Sequence, residues 1–283
     1  MRYILALLTF ISSTCFSSQG FHTLDVQAPS FVRNAAEGVY FLKLDEAKSA
    51  DFATAVLVKA SYGPAVSELY FLTNAHVFEE QCHQLGRCKN LKLYQNIELI
   101  FDFETKKIKG QGENEIDHVE IVRLSQNPDL ALLRATVLTR PSQNFHILQL
   151  ATNCSLASGE QLFTIGFPGV NYRYNFASQS LPGSDTIVKR WSQGIYETTN
   201  NMAIDKISGP HEFLFTSVDT LPGNSGGPLL NSRGEIVGIS QASSAIPENG
   251  YRYTGNEELG KTDWSSVAVP CHYLRPFIFN QSL

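Results

Sequence analysis

Hydrophobic positions in this chain fall in short runs rather than in helical rows. GVYFLKL (38–44), TAVLVKA (54–60), ELYFLTNA (68–75), NIELIFDF (96–103), HVEIVRLS (118–125) and DLALLRATV (129–137) are brief and rich in β-branched and aromatic residues. The pattern resumes in QLFTIGF (161–167), IVKRWSQGIYET (187–198), EFLFTSVD (212–219) and EIVGISQAS (235–243). Such side chains fit the pleated, half-buried surface of a strand, and little of the pattern has a period near 3.6. Many short strands separated by Gly, Pro, Asn and Ser predict an all-β chain of barrels or sandwiches. CHYLRPFIFNQ (271–281) is the exception. Its amphipathic look predicts a short closing helix, with Pro276 in the first turns or kinking it. The turn-rich RPSQNFHILQLATNCSLASGE (140–160) splits the strands into two groups, one over 21–145 and one over 146–283.

Composition narrows the class. The chain has 283 residues, 43% hydrophobic and 17% charged, so it has enough apolar side chains to build real cores. A formal net charge of −5, without a basic run, argues against nucleic acid as a partner. Residues 1–20, MRYILALLTFISSTCFSSQG, set a positive charge before a short apolar run and then small polar residues, which is the pattern of a secretory signal peptide. That run is too short to span a bilayer, and no later stretch is long enough either, so no membrane span is expected. Cys15 raises a lipoprotein reading, but Ser12-Ser13-Thr14 is a poor match to the residues expected before a lipidated cysteine. Beyond the signal lie Cys82, Cys88, Cys154 and Cys271, an even number that in an exported chain points to two disulfides. Zinc competes through Cys82-His83 and Cys88, but no second pair has ligand spacing, so no metal or other cofactor is expected.

The chemistry is concentrated in LPGNSGGPLLN (221–231), where Ser225 stands among Gly223, Gly226 and Gly227 with Pro228 closing the stretch. A surface turn would explain glycine and proline. A backbone that must approach something closely, with a hydroxyl at its apex, explains them too. A nucleophilic serine needs a base to take its proton, a carboxylate to hold that base, and donors facing the oxyanion. His76 ends the apolar run YFLTNAHVF (70–78), and Asp129 stands between the turn of QNPDLALLRA (126–135) and its apolar part. Taken singly, each has an ordinary structural reading: a rim histidine with satisfied hydrogen bonds, and a turn-capping aspartate.

Together, TNAHV, PDLALL and GNSGGP in that order resemble the trypsin-like, chymotrypsin-fold serine peptidases, especially their bacterial branch. The resemblance covers nearly all the chain beyond the signal. It implies two packed antiparallel six-stranded β-barrels with a short C-terminal helix, and a cleft fed by His76 and Asp129 from the first barrel and Ser225 from the second. It implies an acyl-enzyme on Ser225, an oxyanion hole from the N–H groups of Gly223 and Ser225, and protein or peptide substrates. The G-x-S-x-G spelling also fits an α/β-hydrolase elbow, but Gly-Gly-Pro opens no helix, and only His272 follows the serine. Cys154 and Cys271 match a bridge of some trypsin-like enzymes, which leaves Cys82 and Cys88 to close a small loop beside His76.

Two positions bear on specificity. Asp219 lies six residues before Ser225, the spacing at which relatives that cleave after Lys or Arg carry a carboxylate at the base of the pocket. A structural, backbone-bonded Asp219 is the competing reading. Ser240 is expected to face the same pocket, where glutamate-specific relatives tend to place a histidine. Asn224 stands where zymogen-activated members have an aspartate that pairs with a freshly cut N-terminus, so no such ion pair is expected. A monomer that is exported, periplasmic or secreted, completes the expectation. The rival is a catalytically silent homologue acting as a binding protein, against which stands the presence of all three triad residues.

Overall fold

A computed structural model describes residues 21–45, 50–78, 91–102, 107–139, 144–168, 184–202, 211–221, 223–243 and 266–279. In chain order the elements are β1 (His22–Thr23), α1 (Ser30–Ala36), β2 (Val39–Asp45), β3 (Ala50–Tyr62) and β4 (Val66–Thr73). A 3₁₀ turn (His76–Phe78) precedes β5 (Leu91–Asp102), β6 (Lys107–Ile116), β7 (Val119–Gln126) and β8 (Asp129–Leu138). The second half holds β9 (Gln161–Gly166), β10 (Ser184–Val188), β11 (Arg190–Met202), β12 (His211–Thr216), β13 (Pro228–Leu230), β14 (Ile236–Ser243), β15 (Ser266–Pro270) and α2 (Cys271–Phe279).

All pairings between named strands are antiparallel, as the resemblance implied. The second half closes into a six-stranded barrel in the order β11-β12-β15-β14-β13-β9, because β11 pairs with both β12 and β9. The first half departs from an equal partner. It is an eight-stranded sheet, β10-β5-β2-β3-β4-β8-β7 with β6 on β5, and no pairing among the described residues joins β7 back to β5 or β6. Two strands cause the difference. β6 is the polar KIKGQGENEI, which carries no apolar alternation to announce it, and β10 is lent to this sheet by the second half.

Alternation on β2 shows how the two halves share a core. Side chains of a strand point to opposite faces in turn. Val39 and Phe41 join a cluster with Leu162, Ile165 and Leu229 of the second barrel. Tyr40, Leu42 and Leu44 join Leu69, Phe71 and Leu133 inside the first sheet. Both faces are therefore buried, and the line between the halves is packed apolar surface. α1 is too short for its buried Val32, Ala35 and Ala36 to stand out as a period in the sequence.

At the other end α2 forms as expected, with Pro276 in its second turn. Cys271 at its start is bridged to Cys154 with Cα atoms 5.6 Å apart, as the resemblance implied. Cys82 and Cys88 lie outside the described residues.

Lys189 is the one residue between β10 in the first sheet and β11 in the second. Its ammonium donates to the Ala36 carbonyl at 2.7 Å, reaches Asn96 Oδ1 at 3.5 Å, and lies 5.6 Å from the centre of the Phe167 ring. Burial pushes this amine down to about 8, partly opposed by Glu37. Below that pH the folded state carries the full cost of a desolvated ammonium. Above the ordinary lysine value the group is neutral in both states and the cost is gone. Wild type should therefore gain stability relative to Lys189→Met as pH rises from about 7 to about 10.5, by at most roughly 3 kcal/mol. Urea unfolding of both proteins at the two pH values measures the difference.

Candidate active site

Each of the three polar side chains singled out in the sequence sits where a strand ends or begins. β4 stops at Thr73, and His76 opens the 3₁₀ turn that follows the buried Asn74 and Ala75. Asp129 is the first residue of β8, which pairs with β4 through Thr73 and Ala131. That pairing brings a residue beyond the end of β4 beside one at the start of β8. Asn74 fastens the corner, its Nδ2 donating to the Asp129 carbonyl at 3.0 Å.

The Asp129 carboxylate turns both oxygens on His76. Oδ1 accepts the backbone N–H of His76 at 2.8 Å, and Oδ2 lies 2.6 Å from its Nδ1. The carboxylate is almost fully buried, whereas 38% of the imidazole side chain is exposed, so the ring spans the step from interior to cleft. With the Nδ1 proton on the Asp129 side, the lone pair of Nε2 faces Ser225 Oγ at 3.2 Å. The hydroxyl has a second acceptor, the Gln241 carbonyl at 3.0 Å. Carboxylate, imidazole and alcohol thus form one line across the junction between the halves.

The turn carrying Ser225 explains its glycines. Gly223 has φ of 98°, and a Cβ there would meet the Phe167 carbonyl at 2.3 Å and the Phe52 ring at 2.5 Å. Gly226 has φ of 85°, and its Cβ would lie 2.1 Å from both the Thr54 carbonyl and Thr73 Oγ1. Only glycine accepts either position. Inside the turn, Asn224 N–H bonds the Leu221 carbonyl and Gly227 N–H bonds the Asn224 carbonyl. The N–H groups of Gly223 and Ser225 have no acceptor among the described residues.

The remaining predicted residues are buried. Ser240 stands directly behind the turn: its carbonyl accepts Gly226 N–H and its N–H donates to the Gly227 carbonyl, each at 2.9 Å. Its hydroxyl is buried and lies 3.2 Å from Thr164 Oγ1. Asp219 is fully buried, and its backbone carbonyl accepts Ser192 Oγ at 2.9 Å. Asn224 is 1% exposed with its amide against Gly166, and neither end of that amide has a hydrogen-bond partner among the described residues. Three groups here escaped the sequence reading: Gln241, Thr54 and Thr73. None has a local signal. Gln241 acts through its backbone, and the threonines look like ordinary strand residues.

A two-part antiparallel β fold with an Asp–His–Ser line at the junction defines the architecture of a serine hydrolase of the chymotrypsin type. The chain belongs to the trypsin-like peptidase domain family, whose family model matches residues 53–239. It is 26% identical to a glutamyl endopeptidase of Staphylococcus epidermidis over 178 residues, which are 62% of this chain and 52% of that protein. It is 28% identical to the serine protease Do-like HtrA of Lactococcus lactis over 143 residues, 50% of this chain and 30% of that one. The chain thus spans about half the length of the first relative and less of the second. Among solved structures, the active form of the Rv3671c protease from M. tuberculosis superposes with a TM-score of 0.52 at 14% identity, over 87% of this chain and 81% of that one. The HtrA-type protease AlgW with a tripeptide gives 0.54 at 18% identity, over 88% and 62%. These likenesses show the fold.

Proposed function

We propose that this chain is an exported serine endopeptidase that hydrolyses protein or peptide substrates through an acyl-enzyme on Ser225. The observation that carries the reading is the continuous contact from Asp129 Oδ2 through both ring nitrogens of His76 to Ser225 Oγ. As Oγ attacks the scissile carbonyl carbon, Nε2 of His76 takes its proton, and the imidazolium that forms is held by the Asp129 carboxylate. The carbonyl oxygen becomes the oxyanion and is met by the N–H groups of Gly223 and Ser225. The tetrahedral adduct collapses as His76 protonates the departing amine, leaving the acyl group on Oγ. Water then attacks the acyl carbon as it gives a proton to His76, and the C–Oγ bond breaks as His76 returns that proton to Ser225 Oγ, releasing the acid product. Every side chain in this sequence comes from one chain, so the reading needs no second copy. Export rests on residues 1–20 of the sequence, and the Cys154–Cys271 disulfide is of the kind that persists in an oxidising compartment.

For specificity, the reading is cleavage after Lys or Arg, carried by Asp219 six residues before Ser225: a carboxylate at the base of the primary pocket stabilises a buried cation there and repels an acidic side chain. The likeness to a glutamyl endopeptidase favours a second reading, cleavage after Glu. A peptide library digested by the purified protein separates the two. Cuts after Lys and Arg, abolished in Asp219→Ser, are the expected result, and cuts confined to Glu would overturn it. A fluorophosphonate probe tests the chemistry itself: it should label Ser225 in the wild type, and no labelling would support the silent-homologue reading instead.

A further inference from the structure

The line of contacts across the junction contains one interaction between the halves that belongs to the triad, His76 to Ser225. A single contact of 3.2 Å to a half-exposed imidazole is a weak way to register two halves of a catalytic site. A second set of contacts runs directly beneath the nucleophile turn, and its centre is Thr54 on β3, which is fully buried.

Thr54 makes contacts on every side. Its N–H donates to the Ser225 carbonyl at 2.9 Å, and its hydroxyl donates to the Gly223 carbonyl at 2.7 Å. The same hydroxyl accepts the N–H of Phe167 at 3.2 Å, and its own carbonyl accepts Thr73 Oγ1 at 2.8 Å. One residue of the first half therefore holds the turn on both sides of Asn224, and also holds the residue that follows β9. Thr73 ends β4 three residues before His76, so the same strut reaches the base. The close approach at Gly226, whose Cβ would strike both Thr54 O and Thr73 Oγ1, shows how tightly the turn is seated on these two threonines.

We propose that Thr54 is a positioning residue for catalysis, resting on the reading of Ser225 as the nucleophile. Its hydroxyl sets the nucleophile turn, and with it the N–H of Gly223, in register with His76 and Asp129. The physical basis is local. Pinning the Gly223 carbonyl, while Phe167 and Phe52 crowd its Cα, leaves that glycine little freedom about φ and ψ, so the direction of its N–H is decided too. Misplacement of a catalytic group by about 1 Å can cost on the order of 10²-fold in rate.

The test is Thr54→Val, which keeps the shape and removes the hydroxyl, beside Thr54→Ser, which keeps the hydroxyl. Valine should lower kcat and the rate of fluorophosphonate labelling by about tenfold to a hundredfold, with KM little changed and the pH profile unmoved. Serine should restore both rates to within about threefold of wild type, whatever it does to Tm, since the hydrogen bond and not the methyl group sets the geometry. A Val variant that labels at the wild-type rate, or a Ser variant as slow as Val, overturns the proposal. Should Thr54→Val not fold, Thr54→Ala is measured in its place, because it also removes the hydroxyl that holds the Gly223 carbonyl while keeping the backbone bond to Ser225. A several-fold fall in kcat at unchanged KM supports the strut, and an unchanged kcat overturns it. If the wild type itself fails to label, the reading of Ser225 falls first, and the two failures are told apart.

Discussion

Ser225→Ala is expected to lower peptide turnover by roughly 10⁶-fold, the scale seen when a nucleophile is removed from a unit of this kind, while the fold is retained. The change deletes one half-buried oxygen whose only contacts among the described residues are the Gln241 carbonyl and His76 Nε2. No bond between backbone groups among the described residues depends on it. The backbone of the turn, held by Thr54 and by Ser240, stays in place. Activity should therefore collapse with Tm within a few degrees of wild type. Measuring kcat on a cleavable peptide together with a thermal scan checks both halves of the expectation. Turnover near the wild-type level would mean that another group is the nucleophile.

The second large effect is expected at Asp129. In the wild type one carboxylate oxygen accepts the His76 backbone N–H and the other faces its Nδ1. Asparagine offers only one acceptor. The backbone N–H requires the oxygen, so the amide nitrogen must face the ring. Nδ1 then becomes the acceptor and the proton moves to Nε2, where it confronts Ser225 instead of a lone pair. Asp129→Asn should lower kcat by about 10⁴-fold near neutral pH, with little change in shape or in substrate affinity. Steady-state kinetics with KM and kcat determined separately checks this. A loss confined to KM would show that the carboxylate serves binding and not the orientation of the ring.

Much of the fold was legible because strands announce themselves locally. Runs such as TAVLVKA and DLALLRATV lie inside β3 and β8, and IVKRWSQGIYET runs from the end of β10 into β11, although the change of sheet at Lys189 leaves no mark in that run. What escaped had no local signature. β6 is polar, β13 spans three residues, and α1 completes two turns, so none has enough periodic positions to be told from a loop. The triad was legible for a different reason. Glycines at Gly223 and Gly226 are demanded by positive φ and close backbone contact, and such demands restrict the choice of residue enough to leave a recognisable motif. Thr54 obeys no such restriction, because a threonine in a β-rich run suits any strand.

From the sequence alone come the all-β character, the closing helix, the order His76, Asp129, Ser225 and the need for glycine about the nucleophile. These are properties of single residues and short runs, where steric limits and side-chain preference act without reference to distant chain. Tertiary structure alone decided which strands share a sheet, that the first half stays unclosed among the described residues while the second closes, and that Thr54 and Gln241 meet the nucleophile turn. Those outcomes depend on hydrogen bonds and packing between segments more than a hundred residues apart in the case of Thr54 and Gly223, and no local preference encodes a partner at that distance.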